Sequence, residues 1–118
     1  MQLKILKVAD AGDLQNERVI IKVLEDCQLS WYLIFDNTYN ADGMLSNLWR
    51  HLYIFPQREV KAGDFIWLYT KDGTNSHRGN DSNTTTYILH WGLGETIWNH
   101  DGDKAYLVKY EDSQTLNV

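Results

Sequence analysis

Residues 91–107 have the sequence WGLGETIWNHDGDKAYL, which is the most informative stretch of the chain. Trp91 and Trp98 enclose two glycines, and an alternating strand pattern resumes at Ala105. Glycine adopts backbone angles closed to other residues, and Asn and Asp side chains close tight turns through hydrogen bonds. The stretch therefore predicts a strand, an irregular turn and a return strand. Eight residues are assigned structural roles there: Trp91, Gly92, Gly94, Trp98, Asn99, Asp101, Gly102 and Asp103.

Strand patterns recur along the rest of the chain, whereas no segment has the periodicity of a long helix. Within residues 18–24, for example, Val19, Ile21 and Val23 alternate with the residues between them. Short strands separated by turn-forming residues are typical of a β-sandwich. The predicted strands occupy residues 3–8, 18–24, 31–36, 52–55, 64–71, 85–91 and 104–110.

The connections between these strands are polar. Residues 72–84 contain almost no apolar side chain and predict an exposed, mobile loop, and residues 37–47 predict a second long connection. A chain of 118 residues has the usual length of one domain, so residues 1–118 are predicted to form a single domain.

The stretch 91–107 resembles the lamin-tail family, an immunoglobulin-like domain found at the end of intermediate-filament lamins and in bacterial proteins. Bacterial members look like W-G-x-G, then V/I-W-N-N, then D-G-D-x-A-x-L, and His100 departs from that form. Segments at 10–19, 53–56 and 60–64 agree in order, while Ser30 stands where the family usually has Gly. The resemblance implies an all-β, immunoglobulin-like β-sandwich of lamin-tail type, with about seven to nine strands, as a stand-alone bacterial domain.

Charge and hydropathy bear on partners and location. Eleven Lys and Arg stand against sixteen Asp and Glu, and the cations are scattered along the sequence without a basic stripe. Proteins that grip a phosphate backbone gather positive charge, so protein partners are expected rather than nucleic acid. Residues 1–7 lack the apolar core of a signal peptide, and no segment reaches the ~20 apolar residues that span a bilayer. We therefore expect a cytoplasmic protein without membrane contact.

Several predicted strands are apolar on both faces, which a sheet with one solvated face does not require. The second face needs a cover, either the chain's own loops, a second copy in a homodimer, or a partner protein. Trp49, Leu52 and Tyr53 lie in or beside the long connection and are the partner-binding candidates, with Trp49 the best exposed contact. The other four tryptophans, together with Leu107, are interpreted as packing residues: Trp31, Trp67, Trp91 and Trp98. Cys27 is the single cysteine, so no disulfide can form within the chain, and its place at the end of an apolar strand favours a small buried hydrophobe.

Catalytic and metal-binding patterns are poor. His51, His77, His90 and His100 are far apart, and no nucleophile or phosphate-binding motif accompanies them. Oxygens at Asn99, Asp101 and Asp103 resemble the start of a calcium loop, but the later bidentate acid is missing and turn chemistry explains the same residues.

The sequence therefore predicts a non-catalytic interaction or structural module with no cofactor and no metal. Two alternatives remain open. One is a carbohydrate-binding or other ligand-binding module that uses exposed aromatics. The other is a small hydrolase or nuclease that uses His51, His77 or His90 with nearby acids.

Overall fold

The computed structural model describes residues 1–37, 50–98 and 103–118. The described residues are all-β apart from one 3₁₀ turn, Leu29–Trp31. In the same ranges, no helix has the length and apolar character needed to cross a membrane. The strands are β1 Leu3–Ala9, β2 Arg18–Val23, β3 Cys27–Gln28, β4 Tyr32–Asn37, β5 Arg50–Ile54, β6 Glu59–Val60, β7 Phe65–Tyr69, β8 Ser76–Gly79, β9 Thr85–His90 and β10 Lys104–Lys109.

These strands form three sheets. A five-stranded sheet has the order β1-β2-β7-β9-β8, a three-stranded sheet has the order β10-β4-β5, and β3 pairs with β6. All pairs are antiparallel except β7 and β9, which run parallel with Leu68 opposite Leu89. The strand register places alternate side chains on opposite faces, so each of the two larger sheets has one inward face.

The inward faces of the two larger sheets share one hydrophobic cluster. Strands β2 and β7 alternate as the sequence predicts, because Val19, Ile21, Ile66 and Leu68 are fully buried. From the other sheet, β4 adds Ile34 to the same cluster. Burial of Val, Leu or Ile side chains contributes about 1.5–3 kcal/mol each, so this cluster is the main source of stability.

A buried carboxylate joins three segments at one end of the core. Glu17 has no exposed surface, and its Oε1 accepts a hydrogen bond from the backbone N–H of Gly12 at 2.8 Å. Its Oε2 accepts the Thr70 hydroxyl at 2.5 Å and the Ile97 backbone N–H at 3.2 Å. The turn before β2, the end of β7 and the segment leading to Trp98 therefore meet at Glu17.

Two local predictions are wrong. Trp31 belongs to the 3₁₀ turn that precedes β4, and 42% of its surface is exposed, so it is not a core residue. Residues 72–84, predicted as a loop, contain β8, whose four residues are all exposed and pair with β9. Backbone pairing with β9 holds this edge strand in place. Its residues do not alternate between apolar and polar, so the sequence gives no sign of a strand.

Candidate interaction surface

The outward face of the three-stranded sheet carries two rows of apolar side chains. The inward residues Ile34 and Tyr53 alternate with the outward ones along β4 and β5, and cross-strand pairing aligns the outward residues of β10, β4 and β5. We name these six residues the apolar face. One row is Val108, Leu33 and Ile54, and the other is Tyr106, Phe35 and Leu52.

The six residues of the apolar face differ in how well they are covered. Phe35 is buried, and its ring stacks on that of Tyr106 with centroids 5.2 Å apart and an interplanar angle of 9°. Ile54 is 63% exposed, and Leu52 and Val108 are also exposed. Scattered apolar residues on a surface are normal, but neighbouring ones aligned across three strands indicate an interaction site.

The three residues that the sequence predicts as partner contacts lie in different places. Leu52 lies on the apolar face and is exposed. Tyr53 is half-buried and packs against the core, because strand alternation turns it away from Leu52 and Ile54, so it does not lie on the apolar face. Its ring meets that of Phe55 edge-on at 5.1 Å, and burial raises the pKa of its hydroxyl. Trp49 lies outside the described residues.

Ile54, Val108 and Leu33 were missed by the sequence interpretation. The sequence does contain a signal for Ile54, because residues 52–55 are all apolar or aromatic, so both faces of that strand are apolar. Val108 and Leu33 become part of the same surface only through the register of β10 on β4.

The motif at 91–107 is described in part. Trp98 is buried with 3% exposure, and Trp91 packs half-buried against it with ring centroids 6.2 Å apart. Gly92 has φ +89°, a conformation that favours glycine. A Cβ added at Gly94 would meet no atom within 4 Å. Asp103 is half-buried. Asn99, Asp101 and Gly102 lie outside the described residues.

Trp98 and Trp91 thus belong to the core region, as predicted, and Leu107 packs against it. Trp67 does not join the hydrophobic cluster, because it projects from the outward face of the five-stranded sheet.

Positively charged side chains cover the aromatic rings on that outward face. The Arg18 guanidinium lies 5.0 Å from the ring centroid of Trp67 and 5.7 Å from that of Tyr69. Arg78 lies 5.4 Å from Trp67, and Lys71 lies 5.3 Å from Tyr69. Such cation–π contacts shield the rings from solvent. Trp67 and Tyr69 on the outward face of β7 are therefore covered by the chain's own cations.

The cations are scattered along the sequence, but the five-stranded sheet gathers five of them. Its five strands carry none of the sixteen acidic residues. Positions far apart in sequence are brought to one face by the register, which a linear reading of charge does not reveal. The cations on the strands are Lys4, Lys7, Arg18, Lys22 and Arg78.

The described histidines lie at separate places. Nδ1 of His51 lies 2.9 Å from Oδ1 of Asp36, whose carboxylate is buried. His77 lies beside Tyr87, and His90 stacks on Tyr69 in the five-stranded sheet. Among the described residues, no group of three His, Cys, Asp or Glu side chains is placed to hold a metal ion. Of the calcium candidates, only Asp103 falls within the described ranges.

The thiol of Cys27 is buried and free. Burial raises its pKa, which disfavours the thiolate needed for nucleophilic reactions. The interpretation of Cys27 as a small buried hydrophobe is confirmed.

Comparison of the chain with protein-family models and with curated proteins finds no match.

Proposed function

We propose that this chain is a non-catalytic interaction module, an immunoglobulin-like β-sandwich of lamin-tail type that associates with a second copy of itself. Two larger sheets around one hydrophobic cluster support the sandwich. The buried Trp98, packed against Trp91, supports the lamin-tail resemblance.

The observation that carries the association is the apolar face. Its two rows contain six aligned apolar side chains and no charged one, and three of them are exposed. The six apolar side chains can pack against the same six of a second copy, whereas the outward side of the five-stranded sheet carries five cations and repels its own copy. A two-fold dimer brings the same patch of both subunits together, so the patch must be able to pack against itself. An apolar patch meets that condition.

The size of the apolar face sets the expected strength. Full burial of an exposed Leu, Ile or Val contributes about 1.5–3 kcal/mol, but association costs at least ~4 kcal/mol in lost motional freedom. A standard interface uses about 20–30 residues on each side, many more than this patch. We therefore expect a weak dimer, with a dissociation constant of about 1 μM or weaker.

Salt separates this mode of association from an electrostatic one. Each copy carries a formal charge of −5, so two copies repel each other at low ionic strength. Screening weakens that repulsion, since the Debye length falls to about 8 Å at physiological salt. Dimerisation through the apolar face should strengthen as salt is added.

Sedimentation velocity across a concentration series tests the proposal. Ile54→Glu places a charge at the most exposed position of the apolar face, and Leu24→Glu makes the same chemical change at a 46% exposed residue outside it. The parent and Leu24→Glu should dimerise equally, and Ile54→Glu should remain monomeric. A parent that stays monomeric at high concentration, or equal dimerisation of both variants, would contradict the proposal.

One observation favours a second candidate, a small hydrolase centred on His51. Its imidazole is oriented by the buried carboxylate of Asp36, and 27% of the His51 side chain is exposed. The backbone of His51 has φ 51°, a region that non-glycine residues rarely occupy and that occurs at functional sites. A carboxylate-oriented imidazole is the arrangement of a general base.

Nitrophenyl esters and phosphodiesters test this candidate directly. Turnover abolished by His51→Ala and retained in the matched His77→Ala variant would establish it. Absence of turnover by the parent protein would remove it.

A further inference from the structure

We propose that the outward face of the five-stranded sheet binds an acidic, Asp- and Glu-rich segment of a partner protein. We name its five cations the cationic face: Lys4, Lys7, Arg18, Lys22 and Arg78. This surface lies on a different sheet from the apolar face and does not depend on the self-association proposed above.

The register brings these cations to one side of the sheet. Lys4 lies opposite Lys22, which lies opposite Phe65 on β7. Arg78 lies opposite Thr86, which lies opposite Phe65 from the other side. Paired residues share a sheet face, so the three cations surround Phe65. Lys7 joins the same face through its pairing with Ile20.

The charge on this face is not balanced by the strands that carry it. Lys4 and Lys22 are directly opposite and both exposed, and like charges in that position destabilise a sheet. Asp10 pairs with Arg18 at 2.9 Å, so the charge of Arg18 is already engaged. A chain with a net charge of −5 thus gathers five cations on the strands of one sheet, and Lys4, Lys7 and Lys22 are exposed there. An acidic partner would offset the repulsion between Lys4 and Lys22. This charge complementarity favours binding at the cationic face.

The geometry favours carboxylates over nucleic acid. Sheets that bind single strands stack bases on bare aromatic rings, but Trp67 is covered by Arg18 and Arg78, and Tyr69 is covered by Arg18 and Lys71. The cations that remain exposed to a partner are Lys4, Lys7, Lys22 and Arg78. The guanidinium group of Arg78 can form two parallel hydrogen bonds with one carboxylate.

Fluorescence anisotropy with a labelled peptide of alternating Glu and Gly tests the proposal, with a Gln and Gly peptide as the neutral probe. The parent should bind the acidic peptide alone, and its affinity should fall at least about tenfold between 50 and 200 mM salt. Lys4→Gln/Lys22→Gln should weaken binding about tenfold or more, because it removes the opposed pair. The matched control Lys61→Gln/Lys104→Gln removes the same charge elsewhere and should bind like the parent.

Thermal melts of both double variants guard against loss of structure. Removal of an opposed like-charge pair should leave the melting temperature of Lys4→Gln/Lys22→Gln equal to that of the parent or higher. A clear drop in its melting temperature would overturn the proposal, because the lysines would then be structural. So would equal losses of binding in both double variants, no binding of the acidic peptide, or tighter binding of a labelled oligothymidine than of the peptide.

Discussion

The hydroxyl of Thr70 donates a 2.5 Å hydrogen bond to the buried carboxylate of Glu17, across 53 residues of sequence. The same carboxylate oxygen accepts the backbone N–H of Ile97, which lies 80 residues from Glu17. A buried carboxylate is tolerated only when its oxygens are hydrogen-bonded. Glu17 meets that condition and fixes the turn before β2 to the segment that carries Trp98.

Glu17→Ala should be among the most destabilising single changes in the protein. It leaves the Thr70 hydroxyl and two backbone N–H groups without their acceptor, at a cost of about 3–5 kcal/mol. Urea denaturation measures the loss, with Glu95→Ala as the control at an exposed Glu near the same segment. Equal midpoints for the two variants would show that the Glu17 network does not stabilise the fold.

Trp98→Ala and Trp31→Ala should differ strongly in stability. Trp98 is 3% exposed within the core, so its truncation should cost about 3–5 kcal/mol. Trp31 is 42% exposed with Lys109 over its ring at 5.3 Å, and its truncation should cost no more than about 1 kcal/mol. Thermal melts rank the two variants. A Trp98→Ala protein that melts with the parent would remove Trp98 from the core.

Gly73→Ala should destabilise the protein through His90. A Cβ at position 73 would lie 2.5 Å from Cε1 and Nδ1 of the His90 ring, closer than real contacts allow. Forcing these groups apart costs about 1–3 kcal/mol. Gly79→Ala is the matched control, because no atom lies within 4 Å of a Cβ there. The penalty of Gly73→Ala, measured by urea denaturation, should largely disappear in a His90→Ala background, and a penalty that persists there would exclude the clash.

Cys27 should make the stability fall in alkaline solution. Its ordinary pKa is 9.0, and burial raises the pKa in the folded state. Above pH 9.0 the unfolded chain loses this proton while the folded chain keeps it, so unfolding becomes more favourable as pH rises. Below that pH the contribution is fully present. Urea midpoints at a series of pH values should converge for the parent and Cys27→Ala as pH rises, and parallel curves would contradict this role.

The local periodicity of the sequence predicted the all-β fold because strand alternation is a local property. Val19 and Ile21, for example, are buried where the pattern places them. The pattern did not predict β8, which is a polar edge strand held by backbone pairing. It also misplaced Trp31, because a 3₁₀ turn rotates that ring outward before β4 begins.

The candidate surfaces depend on contacts that a linear sequence does not reveal. The opposition of Lys4 and Lys22 requires the β1–β2 register, which contains a shift between Ile5 and Lys7. The alignment of Val108 with Ile54 likewise requires β10 and β5 to flank β4. Leu52 was foreseen because it lies beside the long connection in an apolar segment, whereas its partners on the face come from distant strands.

Copies of this domain are proposed to meet through the apolar face, and a dilution series followed by amide NMR observes that contact residue by residue. As concentration rises, the amide signals of Leu52, Ile54 and Val108 should shift together, while those of Lys22 in β2 and of Leu24, which follows β2, stay constant. The same spectra of Ile54→Glu should not change with concentration. Shifts centred on Lys22 and Leu24, or spectra of the parent that do not change with concentration, would contradict the claim.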